Sequence, residues 1–348
     1  MSWRSIGRGG AVVAFVLLSL AGARPGSGDA SPPPAAQATP ATPAVKPGPI
    51  TKAPAPAPAA VHVRREIHQL SPPQIDAFRA GVALMKTRKE SDPTSWAYQA
   101  NMHGYPSDSS TCSPPTIPKQ VAWASCQHGQ FFFISWHRMY LYYFERILRA
   151  AIREAIHNPT YEFALPYWDY ENPAFHDLPQ PYRVPADKTN SLYVAQRAAD
   201  CNAGRECVDA PTASAKVALS LIPFGSCPGS KPCCSGCIPG LLPDETFGGQ
   251  FVPAPVHYNR AFGELESQPH NVVHDAIGGD TGWMGDPDCA ARDPIFWAHH
   301  ANIDRLWQVW LNQGGRKNPV NCATWAGNTS FTFFDEKKTK VTMTACGI

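Results

Sequence analysis

Hydrophobic side chains recur at helical spacing in four segments of this chain, and these segments predict its main helices. In the first, Ser71 is the expected N-cap and Pro72 the first helical residue, ahead of regularly spaced apolar positions. In the last, "DPIFWAHHANIDRLWQVW", Asp293 and Pro294 have the same two roles. The predicted helices run over about 71–89, 131–156, 259–277 and 293–310. The third contains Pro269, which could break it.

The remainder of the chain follows other patterns. Residues 179–255 are rich in Pro, Gly and Cys and have no sustained period, which indicates a long irregular region. The tail "SFTFFDEKKTKVTMTACGI" alternates between apolar and polar residues, as a pair of strands would. The expected fold is therefore mainly α, with long loops and small β elements.

The N-terminal part does not look like a folded domain. Residues 1–23 resemble a secretory signal peptide, because Arg4 and Arg8 precede a short apolar run that ends in "AGA". An uncleaved anchor is the alternative. Residues 24–60 are mostly Pro, Ala and Thr, a composition that cannot bury a core and that predicts a linker. The folded domain is expected over 61–348, in a protein that is secreted, periplasmic or held at the cell surface.

Composition narrows the functional classes. A net charge of +2 over 348 residues gives no reason to expect nucleic acid as a partner. Eleven cysteines in an exported chain predict a domain stapled by disulfides, with Cys201–Cys207 and Cys322–Cys346 as pairs suggested by proximity. The cluster "CPGSKPCCSGC" contains no histidine and has no matching second half, so it indicates disulfides rather than zinc.

The spacing of histidines carries the strongest chemical signal. His270 and His274 lie four residues apart, so on a continuous helix they share one face and could chelate one metal ion. The adjacent pair His299 and His300 points about 100° apart on a helix, so only one of them is expected to join that site. Asn271 stands where a zinc protease has its catalytic glutamate, which disfavours a zinc hydrolase.

A second set of histidines lies nearer the N-terminus. His103 precedes Gly104 at the expected end of a helix, and His137 lies in the second long helix. His128 could converge with them only from the loop before that helix, where Gly129 allows a turn. The chain therefore predicts two clusters of three imidazoles each.

Five motifs resemble, in order, the type-3 copper family of tyrosinases, catechol oxidases and polyphenol oxidases. They are "QANMHG", "HGQFFFISWHRMYLYYFER", "LPYWDYENP", "PHNVVHDAIGG" and "RDPIFWAHHANIDRLWQVW", and the resemblance covers nearly all of 61–348. It implies a four-helix bundle that holds two copper ions, with dioxygen as co-substrate and small phenols as substrates. It also implies that His299 stays in the core. The copper ligands that it implies are His103, His128, His137, His270, His274 and His300.

The resemblance extends to residues around the metals. Glu266 is similar to a glutamate that holds a water molecule, and Asn271 to an asparagine that orients this water as a base. Phe296 resembles an aromatic residue that packs over the site. Asp304 resembles a carboxylate that supports a copper-bound histidine, although a buried ion pair with Arg305 or Arg292 would also explain it, and both could hold.

Two further positions concern access and covalent structure. Pro287 stands where plant oxidases of this family have a bulky phenylalanine gate, so an open approach to the second copper is expected. Cys126 lies two residues before His128, and this register resembles that of fungal members in which the two are joined by a thioether. The alternative is a disulfide between Cys126 and Cys112.

The resemblance implies an enzyme that oxidises o-diphenols to o-quinones and also ortho-hydroxylates monophenols. A catechol oxidase without the second activity is one alternative, and an oxygen carrier of the haemocyanin type is another. Carriers of this family have a covering domain, whereas this sequence ends at "TACGI", near the end of the family's catalytic core, which favours the enzyme. A separate copper-delivery or covering protein is compatible with the sequence, which predicts no oligomeric state.

Overall fold

The computed structural model describes residues 62–322, Trp325 and residues 329–345. The predicted signal peptide, the predicted linker and Cys346 lie outside the described residues. The helices are α1 (Pro72–Thr87), α2 (Trp96–His103), α3 (Phe133–Ala155), α4 (Ala199–Ala203), α5 (Ala210–Ala213), α6 (Lys216–Ser220), α7 (Val272–Gly278) and α8 (Ile295–Leu311). None of the helices in these ranges has the length and apolar character needed to cross a membrane.

The strands are short and lie in two separate pairs. The irregular region contributes a parallel pair, β1 (Gly225–Cys227) and β2 (Cys237–Pro239). The tail forms an antiparallel pair, β3 (Ser330–Phe334) and β4 (Lys340–Thr344), as the alternation predicts. The mainly α fold with small β elements is thus confirmed.

Helix α1 packs closely against α3. It starts as predicted, and the Ser71 N–H donates to Gln74 Oε1 at 2.9 Å. A Cβ atom at Gly81 would lie 2.4 Å from Ile152 Cγ1, so a glycine is what lets the two helices approach this closely. Helix α3 presents its apolar face to α1 and α8 and forms the wall of the core beside the histidines.

Helix α8 begins one residue later than predicted, at Ile295. The Asp293 carboxylate accepts a hydrogen bond from the Ile295 N–H at 3.1 Å and so satisfies one of the free donors of the first turn. The same carboxylate forms two hydrogen bonds of 2.7 Å with the Arg197 guanidinium, and both side chains are fully buried. This ion pair ties the irregular region to the helix that carries His299 and His300.

The predicted helix over 259–277 is wrong in its first half. The backbone from Asn259 to Ala261 is bonded instead to the loop before α3. Gln268 is also non-helical (φ −149°, ψ 127°), because the residue before Pro269 is displaced from the helical region. A turn over Glu266–Asn271, kinked at Gln268, and then α7 carry the histidines of this segment.

Four disulfides connect the described residues: Cys112–Cys289, Cys201–Cys207, Cys227–Cys233 and Cys234–Cys322. The predicted pair Cys201–Cys207 is confirmed. The predicted pair Cys322–Cys346 includes Cys346, which lies outside the described residues. Within them, the irregular region folds back on the segment after α8 and brings Cys234 to Cys322. The alternative pairing of Cys112 with Cys126 is also wrong, since Cys112 is bonded to Cys289.

Candidate metal centre

The first histidine cluster comes from two helices and a loop. His103 is the last residue of α2, His137 lies in the second turn of α3, and His128 lies in the loop before α3. The centroids of their rings are 5.1 to 5.6 Å apart. Gly129 turns the chain after His128 with φ +64°, and a Cβ atom there would lie 2.1 Å from Asn259 O, so the loop requires a glycine.

The second cluster comes from the kinked turn over Glu266–Asn271, α7 and α8. His300 Nε2 lies 3.3 Å from His270 Nε2 and 3.4 Å from His274 Nε2. The structure thus places the second histidine of the pair, His300, in this cluster, although His299 also has a nitrogen within 4.8 Å of the others. The break at Pro269 does not prevent His270 and His274 from sharing a site, because the helix is regular after it.

The two clusters adjoin. The His137 and His300 rings are stacked, with centroids 4.4 Å apart and an interplanar angle of 13°. Phe296, one turn before His300, is fully buried and contacts both clusters, 4.1 Å from His300 and 4.8 Å from His103 between centroids. Phe296 therefore contacts both clusters, and its role of packing over the bound metals stays a prediction.

In four of the imidazoles, Nδ1 makes a hydrogen bond to an oxygen atom of the protein. His103 Nδ1 lies 3.0 Å from Pro287 O, and His137 Nδ1 lies 2.8 Å from Phe133 O. In the second cluster, Met284 O and Asn271 Oδ1 each accept at 2.8 Å, from His274 and His270 respectively. Since an oxygen can only accept here, Nδ1 carries the proton and the lone pair of Nε2 is available to a metal.

Burial keeps these imidazoles uncharged. It lowers the pKa of His137 and of His274 from 6.5 to about 3, although the carbonyl oxygens of Phe133 and Met284 partly offset this effect. Burial likewise places the pKa of the other four well below 6.5. His103 Nε2 and His137 Nε2 are buried and have no hydrogen-bond partner among the residues that the structure describes. Neutral imidazoles whose nitrogens face a shared space fit copper ions well.

Glu266 and Asn271 lie at the edge of this centre. Glu266 is almost fully buried, and its two carboxylate oxygens accept from the Gly129 N–H at 2.9 and 3.0 Å. Burial raises the pKa of Glu266 well above 4.5, and the Gly129 N–H only partly offsets this. Asn271 uses its side-chain oxygen to hold His270, a contact that sequence reasoning did not anticipate.

The predicted role of Asp304 is wrong. Its carboxylate is bonded to Arg64 Nη1 at 2.9 Å and to Arg138 Nε, so it does not support a histidine. The alternative of an ion pair with Arg305 or Arg292 is also wrong. The arginines that pair with Asp304 are Arg64, from the segment before α1, and Arg138, from α3, whereas Arg305 pairs with Asp169. The reason is that Asp304 lies one turn beyond His300, where α8 leaves the centre and meets α3.

Pro287 lies on the first cluster's side of the centre. It is buried, and its carbonyl oxygen is the acceptor for His103 Nδ1. The structure therefore assigns Pro287 a backbone role in holding a histidine. Its role as the open position of a gate over the second cluster stays a prediction.

His128 lies close to Cys126 and to two residues that no sequence pattern indicates, His257 and Tyr258. Cys126 Sγ lies 3.2 Å from His128 Nδ1 and 3.3 Å from His257 Nδ1. The Tyr258 ring stacks on His128 with centroids 5.2 Å apart. In the sequence His257 has no motif context, which predicts an ordinary surface or structural residue. The extended pairing of 257–261 with the loop brings both residues to the centre.

Known proteins are similar to this chain over most of its length. A family model described as "Common central domain of tyrosinase" matches residues 93–233 and 247–313. Tyrosinase HcTyr1 of Hahella sp. (strain CCB-MM4) is 37% identical over 276 residues, which cover 74% of this chain and 55% of that protein. Polyphenol oxidase A1 of Vicia faba, a chloroplastic protein, is 32% identical over 81% of this chain and 44% of its own length.

The fold of the described residues also matches solved structures. The structure of latent apple tyrosinase aligns with a TM-score of 0.61 at 27% identity, over 83% of this chain and 61% of the other. The chain spans about half the length of the curated relatives that it matches.

Proposed function

The chain belongs to the tyrosinase family of type-3 copper proteins, and from its histidine centre we propose that it is a dicopper phenol oxidase. The observation that supports this most directly is the pair of adjoining, buried imidazole trios, in which four of the six histidines donate their Nδ1–H to an oxygen and so leave the lone pair of Nε2 available. Two copper ions held there would supply the binding and two-electron reduction of dioxygen. The residues of this chain would then bind the phenol, orient it and exclude water.

Within this proposal, the copper ligands are His103, His128, His137, His270, His274 and His300. Phe296 limits the space between the two trios, because its fully buried ring contacts one histidine of each. A planar phenol that enters from the solvent side would stack against the histidines of the second trio. The small residue Pro287 in place of an aromatic gate supports access by phenols that carry side chains.

We further propose that the enzyme ortho-hydroxylates monophenols as well as oxidising o-diphenols. A monophenol must lose its proton to bind a metal well, and an ordinary phenol has a pKa near 10. Glu266 is a suitable acceptor for this proton through one water molecule, because burial makes its carboxylate a stronger base than an exposed glutamate. The Gly129 N–H holds the carboxylate in place next to the His128 loop.

The test is a comparison of monophenol and diphenol turnover by the copper-loaded full chain. The parent protein should oxidise catechol and, after a lag, tyramine. Glu266→Gln keeps the size of the side chain but removes the base, so tyramine hydroxylation should fall about 100-fold or more while catechol oxidation changes little. Glu264→Gln, two residues away and half-buried, is the matched control and should change neither rate. Catechol oxidation without any tyramine hydroxylation by the parent protein would identify a catechol oxidase, and dioxygen binding without turnover an oxygen carrier.

A thioether between Cys126 and His128 is part of the proposal. The Sγ atom lies beside the imidazole, at 3.2 Å from Nδ1, and Cys126 has no disulfide. Forming a carbon–sulfur bond removes one hydrogen from each partner, and the two electrons would go to dioxygen. The bond would fix the orientation of a ligand that comes from a loop. We also propose export by the N-terminal segment, and a copper-delivery protein as a partner.

A further inference from the structure

His299 differs from the proposed copper ligands in its surroundings. It lies on α8 beside His300 and is fully buried, yet neither ring nitrogen has a hydrogen-bond partner among the described residues. A neutral imidazole has one N–H donor and one acceptor nitrogen, and leaving both unmet in an interior is unfavourable. The side chain therefore requires a partner that is not one of the protein groups around it.

The position of His299 points to a metal ion as that partner. Its ring centroid lies 4.8 Å from that of His274, 5.2 Å from His300 and 5.3 Å from His270. One nitrogen from each of these four residues lies within 4.8 Å of the others. The second cluster thus contains four imidazoles around one space, whereas its predicted ligand set contains three.

The distances leave room for a fourth bond. A four-coordinate ion with metal–nitrogen bonds of about 2.0–2.1 Å needs nitrogens about 3.3 Å apart. His300 Nε2 already lies 3.3 and 3.4 Å from the Nε2 atoms of His270 and His274. A nitrogen of His299, within 4.8 Å of these atoms, would have to move by only about 1–1.5 Å to complete the set.

The contacts of His299 also allow this movement. Oxygen acceptors hold the Nδ1 atoms of His270 and His274 and so fix the orientation of those rings. No such hydrogen bond fixes the ring of His299, which packs against the Tyr170 ring with centroids 5.6 Å apart. Rotation of the ring could therefore aim either nitrogen at the second cluster.

We propose that His299 is a fourth ligand of the second metal site, engaged when that site holds a single ion and the first site is empty. The inference rests on the proposed two-copper centre. A site with four imidazoles holds one ion more tightly than a site with three, so the second site would fill first. His299 would thereby set the order in which the chain takes up its two ions.

The experiment is a titration of the metal-free full chain with Cu(II), followed by continuous-wave and pulsed electron paramagnetic resonance. One equivalent should give a single mononuclear signal coupled to four imidazoles. In His299→Leu, and in His299→Phe, which keeps a planar ring, the signal should show three imidazoles. The affinity for the first ion should fall about tenfold or more, on the scale found when partners of metal-bound histidines are removed. Both variants should still bind two ions when copper is in excess.

His176→Leu is the control, because His176 is also buried but pairs with Glu206 away from the centre. It should leave the signal and the affinity unchanged. If both His299 variants kept the parent's imidazole count and first affinity, the inference would be overturned, and a buried water molecule would be the partner of His299. If the parent chain bound no copper at all, the proposed two-copper centre itself would be wrong.

Discussion

Asn271 offers the sharpest test of how the second metal site is held. Its side-chain oxygen accepts a hydrogen bond of 2.8 Å from His270 Nδ1, and both groups are buried. Asn271→Leu keeps the approximate volume but leaves the N–H of His270 without this acceptor. Losing such a partner costs about 1–3 kcal/mol, and removal of an outer partner of a metal-bound histidine lowers metal affinity about 10–100-fold. The two ranges agree, since a tenfold change in affinity corresponds to about 1.4 kcal/mol.

The assay is competition between the metal-free full chain and a chromophoric chelator for zinc, which avoids redox chemistry. The binding step of the second site, which we infer to fill first, should be about 10–100-fold weaker in Asn271→Leu than in the parent. Asn271→Asp restores an acceptor oxygen at the same position, so its affinity should equal or exceed the parent's. Equal affinities for the Leu variant and the parent, within threefold, would refute the idea that this hydrogen bond positions His270.

Three further predictions concern stability and covalent structure. Arg197→Met leaves the fully buried Asp293 carboxylate without its cation, so denaturant titration should show a free energy of unfolding lower by about 3–5 kcal/mol, and a loss below about 1 kcal/mol would contradict this. Burial lowers the pKa of His137 and His274 from 6.5 to about 3, so between these values the unfolded chain binds more protons than the folded one. The metal-free protein should accordingly lose stability as the pH falls from about 6.5 towards 3, and equal stability in melts across that window would argue against it. Peptide mapping of the active, reduced and alkylated protein should find Cys126 unalkylated in a peptide about two hydrogens lighter than its sequence mass, whereas an alkylated Cys126 would exclude the thioether.

Much of this protein follows from the order of its residues. The helical spacing of apolar positions predicted α1, α3 and α8, because these helices are long and each buries one continuous face. The alternation of apolar and polar residues in the tail predicted β3 and β4, because successive side chains of a strand point to opposite faces. The pair His270 and His274 could be assigned to one site because residues four apart share a helix face. Local periodicity was sufficient in each of these cases.

The sequence did not predict the contacts that join segments far apart in the chain. The pairing of 257–261 with the loop before α3 shortened a predicted helix and placed His257 and Tyr258 beside His128. Asp304 forms ion pairs with two arginines, one of them about 240 residues away along the chain, because α8 meets α3 at the helical turn that carries Asp304. No local pattern encodes such contacts, since they depend on where separate elements pack.

The two adjacent histidines, His299 and His300, show both what the sequence can predict and what it cannot. Adjacent residues on a helix differ in direction by about 100°, so the sequence could state that the two rings have different surroundings but not which one faces the other cluster. The packing of α8 against α3 decided it, by stacking His300 on His137 and leaving His299 beside Tyr170. The sequence determined which residue types were available to the centre. Only the tertiary structure decided which nitrogens meet, because that depends on the relative rotation of helices that are far apart in the chain.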